Sequence, residues 1–196
     1  MKSTTGPTSQ IPTSNSGADS LGALRWRAAY LLAAFGVYLV DQTSKAWALR
    51  RLRLGQDLTL VPRFLDLSYS ENTGVAFGQL QSGGATSRWL LVALACAATI
   101  AVLTYFFRTP RHDDRILGAC ALLLAGITGN VTDRIRLGHV IDFIMLHADM
   151  HYWPTFNVAD ASICLGAVLL ALDLLLEGKR KNSRISSQNA EARPSR

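Results

Sequence analysis

Apolar residues in this chain gather into four blocks, and the polar residues between them cluster rather than scatter. The first block, Ala28–Val40, is thirteen uncharged residues preceded by Arg25 and Arg27. Its length would suit a signal-peptide core. The helical pattern, however, runs on through Asp41-Gln-Thr-Ser-Lys45 into Ala46-Trp-Ala-Leu49 with no cleavage site. Trp26 and Trp47 stand twenty-one residues apart, about 31 Å at helical rise, which matches two interfacial anchors. The pattern therefore predicts a retained span over about 26–47. Trp89–Phe107 is nineteen residues without a charge, the clearest membrane-length helix. A third span is predicted over 114–134, with a polar far end at Thr128, Asn130, Thr132 and Asp133. A fourth is predicted over 156–176, with Asp160 in its first turns. Between the first two, Leu58-Thr-Leu and Leu65-Asp-Leu-Ser-Tyr alternate apolar and polar residues around Pro62-Arg63. That alternation reads as a short hairpin or small sheet.

Three domain segments follow. Residues 1–24, rich in Ser, Thr, Gly and Pro, are expected to form a disordered tail. Residues 25–178 form the four-span body, and 179–196 a basic disordered tail. Apolar residues make up 49% and charged residues 17%, against roughly a quarter charged in soluble domains, so the chain reads as a polytopic membrane protein. The net charge of +6 is spread over the flanks of the blocks, which suits topology rather than nucleic acid, and no nucleic-acid motif is present. With four spans, twelve Lys and Arg fall on the side of the termini and eight on the other, which places both termini in the cytoplasm. Cys96, Cys120 and Cys164 sit inside apolar blocks without CxxC spacing and read as small buried hydrophobes.

The concentrated polar sequence all falls at one membrane face. Asp41 and Lys45 are spaced i,i+4 and read first as a structural ion pair. Asn72, followed by Gly74 and Gly78, is equally compatible with a turn and with a substrate-holding amide. Asn130, Asp133 and Arg134 share one helical end, where Asp133 is the natural salt-bridge partner of Arg134. Asn157 and Asp160, three residues apart, project together at the start of the fourth span, and a lone acid there would be an ordinary first-turn residue. Asp142 lies in Gly138-His-Val-Ile-Asp-Phe143. Acids at a bilayer edge are costly and mark function by default. Two that can meet suffice for acid–base hydrolysis of a peptide bond. His147 and His151 are spaced i,i+4 but lack the Glu of H-E-x-x-H, so no metal site is read there. No nucleophile elbow, Walker loop or serine–lysine dyad is present.

Five segments in order, Asp41-Gln-Thr-Ser-Lys45, Asn72-Thr-Gly-Val-Ala-Phe77, Gly129-Asn-Val-Thr-Asp-Arg134, Gly138-His-Val-Ile-Asp-Phe143 and Phe156-Asn-Val-Ala-Asp160, resemble the lipoprotein signal peptidases (signal peptidase II). The resemblance covers about residues 25–178. It implies an all-α protein of four transmembrane helices with a small periplasmic sheet or hairpin between spans one and two, in a bacterial inner membrane. It also implies an aspartic endopeptidase without cofactor or metal. Such an enzyme removes the signal peptide from diacylglyceryl-modified prolipoproteins on the amino side of the lipidated cysteine. By motif, Asp142 and Asp160 become the catalytic dyad. Asn72, Asn130, Arg134 and Asn157 become substrate-holding or dyad-ordering residues, and Asp41, Lys45 and Asp133 supporting ones. Membrane lipids, cyclic-peptide inhibitors of the globomycin type and a monomeric state are further implications. A proton-coupled transporter would favour midplane acids and internal repeats, and a scaffold would give the polar clusters no chemical reason; neither fits as well.

Overall fold

The computed structural model describes the backbone of residues 16–74, 84–110, 113–148 and 151–191, and the side chains of 25–74, 86–110, 113–148 and 151–176. The elements are α1 (Ser16–Arg51), β1 (Leu58–Val61), β2 (Leu65–Asn72), α2 (Gly84–Arg108), α3 (Asp114–Leu137), β3 (Val140–Ala148), β4 (His151–Tyr152) and α4 (Val158–Glu191). α3 packs against each of the other three helices. Within it, 61% of the apolar window is buried, against 11% in α2 and 17% in α4, so α3 is the central post. Exposed on the outer helices are Leu90, Leu94, Ile100, Leu165, Leu172 and Leu175, a coat that water would not tolerate but hydrocarbon does.

Among the described residues three helices are long and apolar enough to cross a membrane: Thr86–Arg108, Asp114–Leu137 and Val158–Leu176, with mean hydropathies of 2.4, 1.5 and 2.1. α1 falls short because it carries Asp41, Gln42 and Lys45. Those charges turn inward, Asp41 and Lys45 being buried, while Leu32, Phe35, Leu39 and Val40 face out. Thus α1 is the fourth span, with an apolar exterior and a polar lining.

Small residues let the helices approach closely. A Cβ on Gly126 would overlap the Ala159 carbonyl, and one on Gly129 would come 2.6 Å from Asp41 Oδ2. At the end of the bundle away from the sheet, Arg27 Nη2 donates to the carbonyls of Phe107 and Thr109, each at 3.0 Å. This ties α1 to the otherwise unsatisfied C-terminus of α2.

One expectation needs correction. Cys120 is buried as expected, but Cys96 and Cys164 are exposed, because they point to the outer face of their helices. The expected small sheet follows α1, and it is joined by strands from later in the chain: four antiparallel strands run in the order β1-β2-β3-β4, so the hairpin recruits two strands that follow α3. Residues 1–15 lie outside the described set.

That sheet sits over the end of α1, where Ile141 and Phe143 pack with Ala48 and Leu52. Since side chains alternate faces along a strand, Asp142 points the other way. The register between β2 and β3 slips between Leu67/Ile144 and Ser70/Asp142, a bulge directly beside the acid. After β4 the chain returns along β3. Phe156 exchanges backbone hydrogen bonds with Ile144 at 2.9 and 3.0 Å, which delivers Asn157 to the head of α4.

Candidate active site

Asn157 is the N-cap of α4. Its Oδ1 accepts the Asp160 backbone N–H at 2.9 Å, and Asp160 Oδ2 accepts the Asn157 backbone N–H at 3.2 Å. This reciprocal pair is a capping box with Asp in the third helical position. Asp160 is therefore a first-turn acid, as its place at the start of the span allows, and more besides. Its other oxygen accepts Asn130 Nδ2 at 2.7 Å.

The capping amide also reaches the sheet. Asn157 Nδ2 donates to Asp142 Oδ1 at 2.6 Å and lies 3.3 Å from the Ile141 carbonyl. The second Asp142 oxygen accepts Asn72 Nδ2 at 2.9 Å. Asn72 is held in turn by the Gly74 N–H, which donates to its Oδ1 at 2.8 Å. Gly74 has φ +79, and a Cβ there would run into Leu91, so this turn requires glycine. Asp142 and Asp160 thus share one buried asparagine, and all four of their oxygens accept N–H groups.

Burial is the chief influence on Asp142, which is 1% exposed. It pushes the carboxyl up to about 6, and the Asp160 charge pushes the same way against the donors Asn72 and Asn157 and the Lys45 ammonium. A carboxyl that titrates near neutrality can both give and take a proton at working pH.

Beneath the dyad lies a second polar layer. Lys45 Nζ is 2.9 Å from Asp41 Oδ2, 3.0 Å from Asp133 Oδ2 and 2.9 Å from Asn130 Oδ1. Asp41 Oδ1 accepts the Ala159 N–H at 2.8 Å, and Asp133 Oδ2 the Ile141 N–H at 3.3 Å. These two acids therefore anchor the segments that carry Asp160 and Asp142. The expected Asp41–Lys45 pair is present. Asp133, by contrast, pairs with Lys45 and not with its neighbour Arg134, because adjacent residues diverge around a helix. Gln42, part of the first motif but not singled out from sequence, donates to Asp41, to Asp133 and to the Gly129 carbonyl at 3.1 to 3.2 Å.

Arg134 lies within electrostatic reach of Asp160, Asp142 and Asp133, and its guanidinium faces the Asn72–Gly74 turn. Its Nε has no hydrogen-bond partner among the described residues. His147 stacks on Tyr152 and sits 3.0 Å from Asp66. Among the described residues no group of three or more His, Cys, Asp or Glu is arranged to hold a metal. The rest of the second motif, from Val75 on, lies outside the described residues.

A family description, Signal peptidase (SPase) II, matches residues 33–176. The chain belongs to the signal peptidase II family. A lipoprotein signal peptidase of Pseudomonas fluorescens is 40% identical over 164 residues, covering 83% of this chain and 94% of that one. Another, from Pseudomonas putida, is 37% identical over 169 residues, covering 86% and 96%. A solved structure described as a bacterial membrane enzyme superposes with a TM-score of 0.71 at 28% identity, covering 79% of this chain and 92% of its own. This member of the signal peptidase II family is thus a multi-pass bacterial membrane protein and an aspartic peptidase.

Proposed function

We propose that Asp142 and Asp160 are the catalytic dyad of an endopeptidase that cleaves diacylglyceryl-modified prolipoproteins on the amino side of the lipidated cysteine. The observation that carries the assignment is the single buried Asn157 bonded to both carboxyls. Two acids so close cannot both ionise easily and share a proton. The ionised one takes a proton from water as it attacks the scissile carbonyl. The protonated one hydrogen-bonds the carbonyl oxygen and then supports departure of the amine. The titration belongs to the pair, so either acid can serve as base. Arg134, with donors to spare, and Asn72 are suited to hold the substrate backbone. The position at the ends of the helices suits a substrate whose acyl chains stay in the bilayer while its peptide bond meets water.

In this reading both termini are cytoplasmic and the sheet lies on the periplasmic face, supported by the twelve-to-eight distribution of Lys and Arg. The enzyme acts as a monomer, and globomycin-type cyclic peptides compete with substrate for the dyad. The test uses purified protein in detergent and a synthetic diacylglyceryl-modified prolipoprotein peptide. The parent should cleave, while Asp142→Asn and Asp160→Asn, each folded, should not. Cleavage by both variants would remove the dyad, and chelator-sensitive cleavage would point to the histidines instead.

A further inference from the structure

Each asparagine around the dyad must present its NH2, not its carbonyl, to a carboxylate, yet an amide can turn over at little steric cost. Each one is locked by a donor on its oxygen. The Gly74 N–H holds Asn72 and the Asp160 N–H holds Asn157. Asn130 alone is held by a side-chain cation, Lys45. Resting on the dyad reading, we propose that Lys45 is a positioning residue for catalysis, fixing the Asn130 amide so that its NH2 always faces Asp160.

The chemistry leaves one arrangement. An ammonium has three donors and no acceptor, and the three partners of Lys45 are Asp41 Oδ2, Asp133 Oδ2 and Asn130 Oδ1, all within 3.0 Å. Lys45 is 2% exposed, so water does not compete for that tripod. The Asn130 atom that meets Lys45 is therefore the oxygen, to which Asn157 Nδ2 also points at 3.3 Å. Nδ2 is left for Asp160 Oδ1 at 2.7 Å. Turned over, Asn130 would set its carbonyl against Asp160 and its NH2 against an ammonium. Both contacts repel, so the cation removes the flipped state. The Asp160 end of the dyad then always meets an N–H donor on Oδ1.

The charged groups facing Lys45 are Asp41 from α1, Asp133 from α3 and, from β3, Asp142. Those bearing on the dyad are Arg134 and Lys45. Loss of the cation thus leaves the Asn130 oxygen only the longer contact from Asn157 Nδ2 at 3.3 Å, and it withdraws from Asp142 a positive charge that holds its carboxyl down.

The experiment compares Lys45→Met, Lys45→Arg and the charge-compensated Lys45→Met/Asp133→Asn on the diacylglyceryl-modified peptide in detergent, across pH, with melting curves as the check on folding. The double variant removes one carboxylate with the cation, and it carries the test if Lys45→Met alone does not fold. In the folded Met variant kcat should fall about a hundredfold with KM nearly unchanged, as expected when a reacting group is misplaced. The acidic limb of the pH–kcat profile should move to higher pH. Lys45→Arg, which still offers donors, should restore the limb and much of kcat. A folded Met variant with parental kcat and limbs would overturn the proposal, as would a loss confined to KM. Failure of the dyad reading shows separately, as cleavage by Asp142→Asn and Asp160→Asn.

Discussion

The acid built into β3 should make the fold less stable at neutral pH than it would be without the charge. Asp142 moves from its ordinary 3.8 to about 6 on folding, with burial as the main cause. Because the folded value is the higher one, the folded chain holds the proton more tightly. The stabilisation is complete below 3.8 and is lost as pH rises through about 6. At 1.36 kcal/mol per pH unit the loss above that window is about 3 kcal/mol. The side chain is 1% exposed, so solvent screening does not reduce it. Asp142→Asn removes the ionisation and keeps an acceptor for Asn157. Its new NH2 faces that of Asn72, which costs about 1 kcal/mol and is softened because Asn72 is exposed. The variant should therefore be the more stable protein at pH 7.5, by about 2 kcal/mol, and lose that advantage at pH 4.5. Melting curves of parent and variant in the same detergent at both pH values measure it. At 2–4 °C per kcal/mol, the gap between the two should change by roughly 4–8 °C. A gap that is the same at both pH values, or that moves toward the parent as pH rises, would refute the reasoning.

Other substitutions test the scaffold. Asn157→Ala removes the α4 cap and the donors to Asp142 and the Ile141 carbonyl. It should cost about 3–5 kcal/mol in a melting or denaturant experiment and abolish cleavage. Gly126→Ala would press on the Ala159 backbone and Ile163, so it should lower stability by about 1–3 kcal/mol and reduce kcat by moving Asp160. Gly118→Ala meets nothing within 4 Å and should be neutral or slightly stabilising in the same melts. Arg63 has φ 64 at the turn closed by the Phe64 N–H to the Val61 carbonyl, where a glycine is preferred. Arg63→Gly should therefore raise stability by about 1 kcal/mol.

The helices were legible because membrane burial writes itself into local composition: the charge-free run Trp89–Phe107 lies within α2, and the third span begins at Asp114 as read. Asn157 and Asp160 were legible as a pair because three residues is nearly one helical turn. β3 was not. Val140–Phe143 is buried throughout, so it lacks the alternation that marks a half-exposed strand. Its partner β2 lies some seventy residues earlier, a pairing that no local window contains. The role of Asp133 was misread for a related reason. Its sequence neighbour Arg134 was visible, whereas Lys45, a whole helix away, becomes its neighbour only when α1 packs on α3.

The two central carboxyls come from different kinds of element, one from a strand and one from a helix cap. Insertion of four helices into a bilayer assembles only half of the pair. The other half arrives when β3 docks over α1 and Asn157 closes the seam between sheet and bundle. On the proposed dyad, a chain with its helices placed but β3 undocked holds one acid of the two, so proteolytic competence reports that sheet and bundle have met.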